Sequence, residues 1–199
     1  MAPKIRRLGL ILLLSIIVGK TSTPQVSASP SIHSCQKQVE TFLASPAEQT
    51  LAAVSGPDEA ACWLLIELSN DNFDRLVRSA SHGNRWSAQY LAKHLRQLDG
   101  GNLEDALVAL GQFSDHDMER LLMFAKSGLL SAHSLSNAMK MLPLSLSDDL
   151  PAQLKSMNAR RKKVLTITRE ELSEQRTQAL KAVDEAISEI KSNTPGLAP

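Results

Sequence analysis

One apolar pattern recurs through the middle of the chain, and it constrains the fold more than any other feature of the sequence. Apolar residues fall at relative positions zero, three, four and seven, which is the spacing of one face of an α-helix. Six such sets follow one another, and pairs of sets that begin fifteen residues apart form a unit that repeats after 30 to 32 residues. The sets begin at Phe73, Ala88, Leu103, Met118, Leu135 and Leu150. The pattern breaks only at Gln153, so it predicts three tandem pairs of helices that end at Met157.

Residues that stop and start helices agree with this frame. Glycines lie where helices should end, because glycine readily adopts the left-handed backbone of a helix C-terminus, and they are Gly83, Gly100, Gly111 and Gly128. Capping residues lie where the next helices should begin, at Asn70 or Asp71, Asn102, Ser114 and Ser131. We therefore expect an all-α fold of tandem helical hairpins in a short α-solenoid-like array. In length the units resemble tetratricopeptide and HEAT repeats, but the signature residues of those families are absent.

The residues before the repeats are expected to form an N-terminal helical cap. A short helix is predicted over residues 34–44, and a second one begins at a capping box in residues 45–48 and ends at Gly56. A third helix follows and is apolar on most sides, with Ala61, Trp63, Leu64, Leu65, Ile66 and Leu68. A helix of this kind is expected to be the most buried one of the fold.

Beyond the repeat domain, which we assign to residues 29–157, the chain divides into three short parts. Residues 158–167 begin with basic residues and are predicted to form a basic linker, although their pattern also fits a helix. Residues 168–192 should form an amphipathic helix with Leu180, Val183, Ile187 and Ile190 on its apolar face, and residues 193–199 a disordered tail. Such a helix is marginal alone, so it should either fold back on the last hairpin of a monomer, which we prefer, or pair with its copy in a dimer.

The first 28 residues have the organisation of an export signal. Basic residues precede an apolar run from Leu8 to Val18 that is short for a membrane span, and small residues follow it. We predict a signal peptide over residues 1–28 and an exported protein, periplasmic or secreted; a retained signal anchor is the alternative. In an oxidising compartment, Cys35 and Cys62 are expected to form a structural disulfide.

Composition and motifs argue against several function classes. Removal of the signal peptide takes away four Lys/Arg and no acidic residue, which leaves a mildly acidic protein and argues against nucleic-acid binding. The five histidines lack the spacing of metal ligands, and the acidic cluster Asp115–Asp117 fits a helix start, so we expect no metal and no cofactor. Glu67 is the one carboxylate that could act as a buried general acid, although a partly exposed position fits it better.

A binding surface is predicted on the helix that begins near Gly83. Trp86 and Tyr90 lie beside the apolar stripe, together with Arg85 and Gln89, and exposed aromatic residues next to arginine are typical of binding surfaces. The alternative is that Trp86 packs against a neighbouring hairpin. A second candidate is the basic run Arg160, Arg161, Lys162 and Lys163, which could contact an anionic membrane surface, although we prefer a solvated linker.

Together these features favour an exported, non-enzymatic helical-repeat adaptor that binds a protein or peptide. The reasons are a repeat scaffold and the lack of a recognisable catalytic motif. The second hypothesis is an extracytoplasmic chaperone that holds unfolded clients on Met- and Leu-rich surfaces. The third is a helical enzyme of unknown reaction.

Overall fold

The computed structural model describes residues 32–193, and this range contains ten α-helices and no strand. The predicted all-α class is therefore confirmed. The predicted signal peptide and residues 194–199 of the predicted tail lie outside the described range. The helices are α1 (Ile32–Ala44), α2 (Glu48–Val54), α3 (Glu59–Glu67), α4 (Asn70–Ser81), α5 (Arg85–His94), α6 (Gly100–His116), α7 (Met118–Lys126), α8 (Ala132–Lys140), α9 (Leu150–Thr166) and α10 (Ser173–Ser192).

The repeated apolar pattern marks the core correctly. Within each predicted helix of the repeats, at least one residue of the pattern is almost completely buried. Polar side chains cap the first turns of these helices except in α6, where Asp99 makes no capping hydrogen bond through its side chain. The fully buried members include Leu76, Ala80, Ala88, Leu91, Leu110, Leu121, Leu122, Leu135 and Met139. The capping side chains, which accept hydrogen bonds from first-turn N–H groups, belong to Ser69, Asn84, Asp117, Ser131 and Asp149.

The helices of the first two predicted pairs pack on each other, but those of the third do not. α4 packs against α5, and α6 against α7, while α4, α6 and α8 are successive neighbours. α8 and α9 touch at most slightly, because α10 packs against both of them. The third hairpin is therefore replaced by an arrangement in which α10 joins α8 to α9.

Two predicted helix boundaries near residue 111 are wrong. α6 continues through Gly111 and Ser114 as far as His116, and Asp117 is the residue that caps α7. Gly111 is buried where α6 meets the end of α8, and a Cβ atom built there would lie 2.5 Å from the carbonyl oxygen of Ala138. The lack of a side chain at Gly111 thus allows α6 to pack closely on the end of α8, and this glycine does not end the helix. By contrast, Gly83 and Gly128 have φ angles of 89° and 81° just beyond the ends of α4 and α7.

The predicted basic linker is also corrected. Residues 158–166 are the second half of α9, and the chain leaves the helix only at Ile167. Within this segment Arg160 is fully buried, so it belongs neither to a solvated linker nor to a surface that could contact a membrane. α10 begins at Ser173 after a 3₁₀ turn, five residues later than predicted.

α10 folds back onto its own chain, as the preferred alternative predicts. Val183, Ile187 and Ile190 are buried in the same core as α8 and α9. Lys140 of α8 forms an ion pair of 2.6 Å with Glu185 on this helix. The apolar face that could have formed a dimer is thus covered within the chain, and the monomeric state stays a prediction.

At the other end of the chain, Cys35 of α1 and Cys62 of α3 form a disulfide bond, as predicted. The bonded pair is consistent with an oxidising compartment outside the cytoplasm. In the described part of the chain, no helix has both the length and the apolar character needed to cross a membrane.

Candidate functional site

α3 is not buried on all sides, contrary to its apolar sequence. Its inner face carries Cys62, Trp63 and Ile66, which are at most 1% exposed. Its outer face carries Leu64, which is 51% exposed, and is continued by Leu68, the C-terminal capping residue just after α3, which is 79% exposed. These two leucines are four residues apart and therefore lie one turn apart on the same face of the helix. The sequence could not show this because all of these residues are apolar.

A cleft of about 600 Å³ lies beside this face. It is bounded by the start of α3 and by the end of α5 together with the 3₁₀ turn that follows it. The residues of its lining that matter chemically are Glu59, Trp63, Leu64, Lys93, His94 and Gln97. The cleft thus combines an apolar wall with an acid, a base and two aromatic rings.

The rings at the base of the cleft form a compact stack. The imidazole of His94 lies parallel to the indole of Trp63, with 4.3 Å between the ring centroids. Tyr90 meets both rings edge-on, at 4.7 Å from His94 and 5.8 Å from Trp63, and Phe42 of α1 packs against Tyr90 in turn. Each such contact contributes about 0.5–1.5 kcal/mol beyond its buried area, so the stack holds α3 and α5 together rigidly.

Glu59 connects the two basic residues of the cleft. His94 Nε2 donates to Glu59 Oε1 at 3.0 Å, and Lys93 Nζ donates to Glu59 Oε2 at 2.7 Å. Burial lowers the pKa of His94, and the hydrogen bond that its Nε2 donates to Glu59 opposes this effect only in part. At neutral pH the imidazole is therefore uncharged, its proton is on Nε2, and its Nδ1 atom is a hydrogen-bond acceptor.

Three polar atoms of the ring stack are buried without a hydrogen-bond partner. They are Trp63 Nε1, His94 Nδ1 and the hydroxyl oxygen of Tyr90. Burial also raises the pKa of Tyr90 above its usual range, so the hydroxyl keeps its proton. Leaving such groups unpaired costs about 1–3 kcal/mol each, which makes three in one place an unusual concentration.

The predicted binding surface on α5 is only partly formed. Arg85 is exposed, its guanidinium carbon lies 4.1 Å from the centroid of the half-buried Trp86 ring, and Gln89 is half-buried. Tyr90 is fully buried, so its predicted exposure is wrong. The reason is that α5 packs against helices on more than one side, which extends its buried face beyond the apolar stripe. The cleft residues Glu59 and His94 were missed because no local pattern links α3 to α5.

The structure gives no sign of a catalytic or metal-binding role for the remaining candidate residues that it describes. Asp115 pairs with Arg160, Asp117 caps α7, and Glu67 is half-buried near the end of α3. Among residues 32–193, no cluster of His, Cys, Asp and Glu side chains has the arrangement of a metal site.

Comparison of the chain with known protein families, with curated proteins and with solved structures found no match in any of the three.

Proposed function

We propose that the protein is an exported, non-enzymatic helical-repeat adaptor that binds a protein or peptide on α3 and the adjoining cleft. The observation that carries this proposal is the exposure of Leu64 and Leu68 on one face of α3. Large apolar side chains that lie side by side at a surface, next to a cleft with polar groups, are typical of interaction sites. The proposed site is thus centred on α3 and the cleft, and no longer on the face of α5 that was predicted from the sequence.

The repeat scaffold and the export are parts of the same proposal. The succession α4, α6 and α8 supports a short solenoid-like array, and α1 to α3 would then cover its N-terminal end. The disulfide between Cys35 and Cys62 supports an extracytoplasmic location. It also joins α1 to the helix that carries the exposed leucines, so it holds the proposed binding face in place.

A chaperone is the second candidate, and one observation favours it. Leu144, in the 3₁₀ turn between α8 and α9, is 83% exposed beside a groove of about 310 Å³ whose lining includes Leu146, Leu150 and Met157. Such a groove would suit apolar segments of many clients. An enzyme stays the third hypothesis, because Glu59 and His94 form an acid–base pair, whereas the lining described for their cleft includes no Ser, Thr or Cys nucleophile.

The test is site-specific photocrosslinking in the exported fraction. A photoreactive residue replaces Leu64, Leu68 or Leu144 in turn, and Leu165 of α9, whose 50% exposure is close to that of Leu64, is the matched control. One discrete adduct from positions 64 and 68, lost when the other leucine is changed to glutamate, is the expected result. A mixture of adducts that includes position 144 would support the chaperone instead. Equal labelling at 64, 68 and 165 would contradict both.

A further inference from the structure

We propose that the protein binds the phosphate group of a small soluble molecule in a pocket on α4, where Arg75 and Arg78 hold the phosphate oxygens. The pocket has a volume of about 380 Å³ and lies where the second half of α4 meets the end of α1 and the start of α5. We call it the arginine pocket, and its lining consists of Leu43, Arg75, Arg78, Ser79, His82 and Asn84. It shares no residue with the cleft beside α3, so this inference is independent of the adaptor proposal.

The two guanidinium groups of the pocket have no partner within the described part of the chain. Most arginines between residues 32 and 193 place the guanidinium against a carboxylate, a backbone carbonyl or an aromatic ring. The exceptions are Arg75, Arg78 and Arg96. Arg75 is half-buried, and a charged group that loses water without gaining a partner is costly. Two unpaired arginines that line one pocket therefore indicate a partner from outside the protein.

Both arginines can be reached by a ligand and lie on one side of α4. Arg78 is exposed and Arg75 is half-buried, so contact with a ligand requires no change in the fold. They are three residues apart on a helix, which places their Cβ atoms about 5–6 Å from each other. Each guanidinium is a planar fork of N–H donors that fits two oxygens of a phosphate. One phosphate group can therefore contact both side chains.

The chemistry of the pocket favours a phosphate over a carboxylate. The described lining contains no Asp or Glu, and its two guanidinium groups carry two positive charges. Ser79 adds a hydroxyl group whose oxygen accepts a hydrogen bond from Ser87 at 2.8 Å, which leaves its own proton available to a ligand. At neutral pH a phosphate monoester has a charge of about −1.5 to −2 and three terminal oxygens. A carboxylate has one charge and two oxygens, so it matches the pocket less well.

The other polar residues of the pocket already have partners within the protein. Asn84 caps α5 with its side-chain oxygen, and its Nδ2 atom donates to the carbonyl oxygen of Pro46 at 3.2 Å. The imidazole of His82 donates from Nδ1 to the carbonyl oxygen of Arg78 at 2.7 Å. These bonds hold the rim of the pocket in place. The side chains of Arg75 and Arg78 are therefore the groups on which the test concentrates.

An anionic membrane surface fits this pocket less well than a small phosphate compound. Recognition of anionic lipids usually involves clusters of about four to eight basic residues. Here Asp71 and Asp74 are exposed one turn before Arg75 and Arg78 on the same helix. A membrane surface would repel these two carboxylates. A small phosphate group does not have to approach them, because neither lines the pocket.

The test is an NMR titration of the oxidised protein with methyl phosphate at about pH 7, where this monoester is mainly a dianion. Acetate at the same ionic strength is the control ligand, because it has a carboxylate in place of the phosphate. The readout is the set of side-chain carbon signals of Arg75 and Arg78. Arg96 is the internal control, since it is exposed and unpaired but lies outside the pocket.

Methyl phosphate is expected to move the Arg75 and Arg78 signals in a saturable way and to bind about tenfold more tightly than acetate. Arg75→Gln and Arg78→Gln should each weaken binding at least about tenfold, because each removes charge-assisted hydrogen bonds, whereas Arg96→Gln should leave it unchanged. Without ligand, the variants should melt at the temperature of the unmodified protein, because these guanidinium groups form no hydrogen bond or ion pair within the described chain. That comparison separates a loss of binding from a loss of the fold.

The proposal is wrong if methyl phosphate moves the Arg96 signals as much as those of the pocket, if acetate binds equally well, or if neither glutamine variant weakens binding. A second experiment tests the source of the phosphate by co-sedimentation with vesicles of phosphatidylcholine that contain phosphatidic acid. The protein is expected to stay in solution. Sedimentation that depends on Arg75 and Arg78 would show that a membrane surface is the ligand and would overturn the assignment to a small soluble molecule.

Discussion

Replacing Arg160 by methionine is expected to destabilise the protein far more than the same change at its neighbour Arg161. Arg160 is completely buried although it belongs to a run of four basic residues. Its Nη1 atom donates to the carbonyl oxygens of Met139 at 3.0 Å and Met141 at 2.9 Å, and its Nη2 atom donates to Asp115 at 3.0 Å. Arg160 thus satisfies carbonyls at the C-terminus of α8, which have no partner within that helix.

The magnitude follows from what the substitution leaves unpaired. The carbonyl of Met139 loses its donor in a buried place and that of Met141 in a partly buried one, at a cost of about 1–3 kcal/mol each. Asp115 is 32% exposed and keeps a contact with Lys163, so it can be rehydrated and adds little. The total loss is therefore about 3–5 kcal/mol, and it comes mainly from the two unpaired carbonyls. Arg161 and Asp184 are 43% and 49% exposed, so losing that pair should cost at most about 1 kcal/mol.

The assay is urea denaturation of both oxidised variants, with the free energy of unfolding compared at an unchanged denaturant slope. For a domain of this size each kcal/mol lowers the melting temperature by about 2–4 °C, so Arg160→Met should melt roughly 10 °C earlier than Arg161→Met. Asp115→Asn should cost less than Arg160→Met, because the carbonyl contacts survive. If Arg160→Met and Arg161→Met agree within about 1 kcal/mol, the argument from buried carbonyls is wrong.

Three further predictions concern the close helix contact, the ring stack and the disulfide. Gly111→Ala should destabilise the protein by about 3 kcal/mol or more, because the added methyl group would lie 2.5 Å from a carbonyl oxygen of α8. Gly101→Ala is the control and should stabilise the protein by about 0.5–1 kcal/mol, because the space around Gly101 is open. Thermal melts of the two variants compare these effects directly. Burial lowers the pKa of His94 below its ordinary value of 6.5, so the unfolded chain binds the proton more readily, and the free energy of unfolding should fall as the pH drops from about 7 through 6.5. His94→Gln should flatten this part of the pH profile of stability. An unchanged profile would contradict the lowered pKa of His94. By intact mass, the exported protein should be two hydrogens lighter than its reduced form, because Cys35 and Cys62 form a disulfide. Replacing both cysteines by alanine should lower the free energy of unfolding by about 3–4 kcal/mol. Two alkylatable thiols in the native protein would refute the bond.

The proposed binding face depends on the same packing that these changes probe. Cys62 precedes Trp63 on α3, so the disulfide and the ring stack hold successive residues of one helix. α5 supplies the opposite side of the cleft through His94. A ligand that binds in the cleft would therefore meet a surface that these contacts already order, which reduces the entropy lost on binding.

The spacing of apolar residues predicted the helical segments of the repeats and most of the residues that they bury. Leu76, Leu110 and Leu135 lie in the core as predicted, because helical periodicity is a local property that each segment carries on its own. The disulfide could also be predicted, since the chain has two cysteines, which allow one intramolecular pairing, and export to an oxidising compartment was predicted as well. The apolar face of α10 predicted that the helix must be covered, but it left a return to the same chain and a dimer as alternatives.

Only the tertiary structure shows which residues have positions that differ from those predicted by their neighbours in the sequence. Arg160 has the sequence context of a solvated charge, and its burial depends on two carbonyls some twenty residues earlier in the chain. Gly111 has the context of a helix stop, yet it allows α6 to approach the end of α8. The cleft likewise forms only when Glu59 meets His94, 35 residues away. Such contacts depend on how helices are placed in space, and periodicity along one helix carries no information about its distant neighbours.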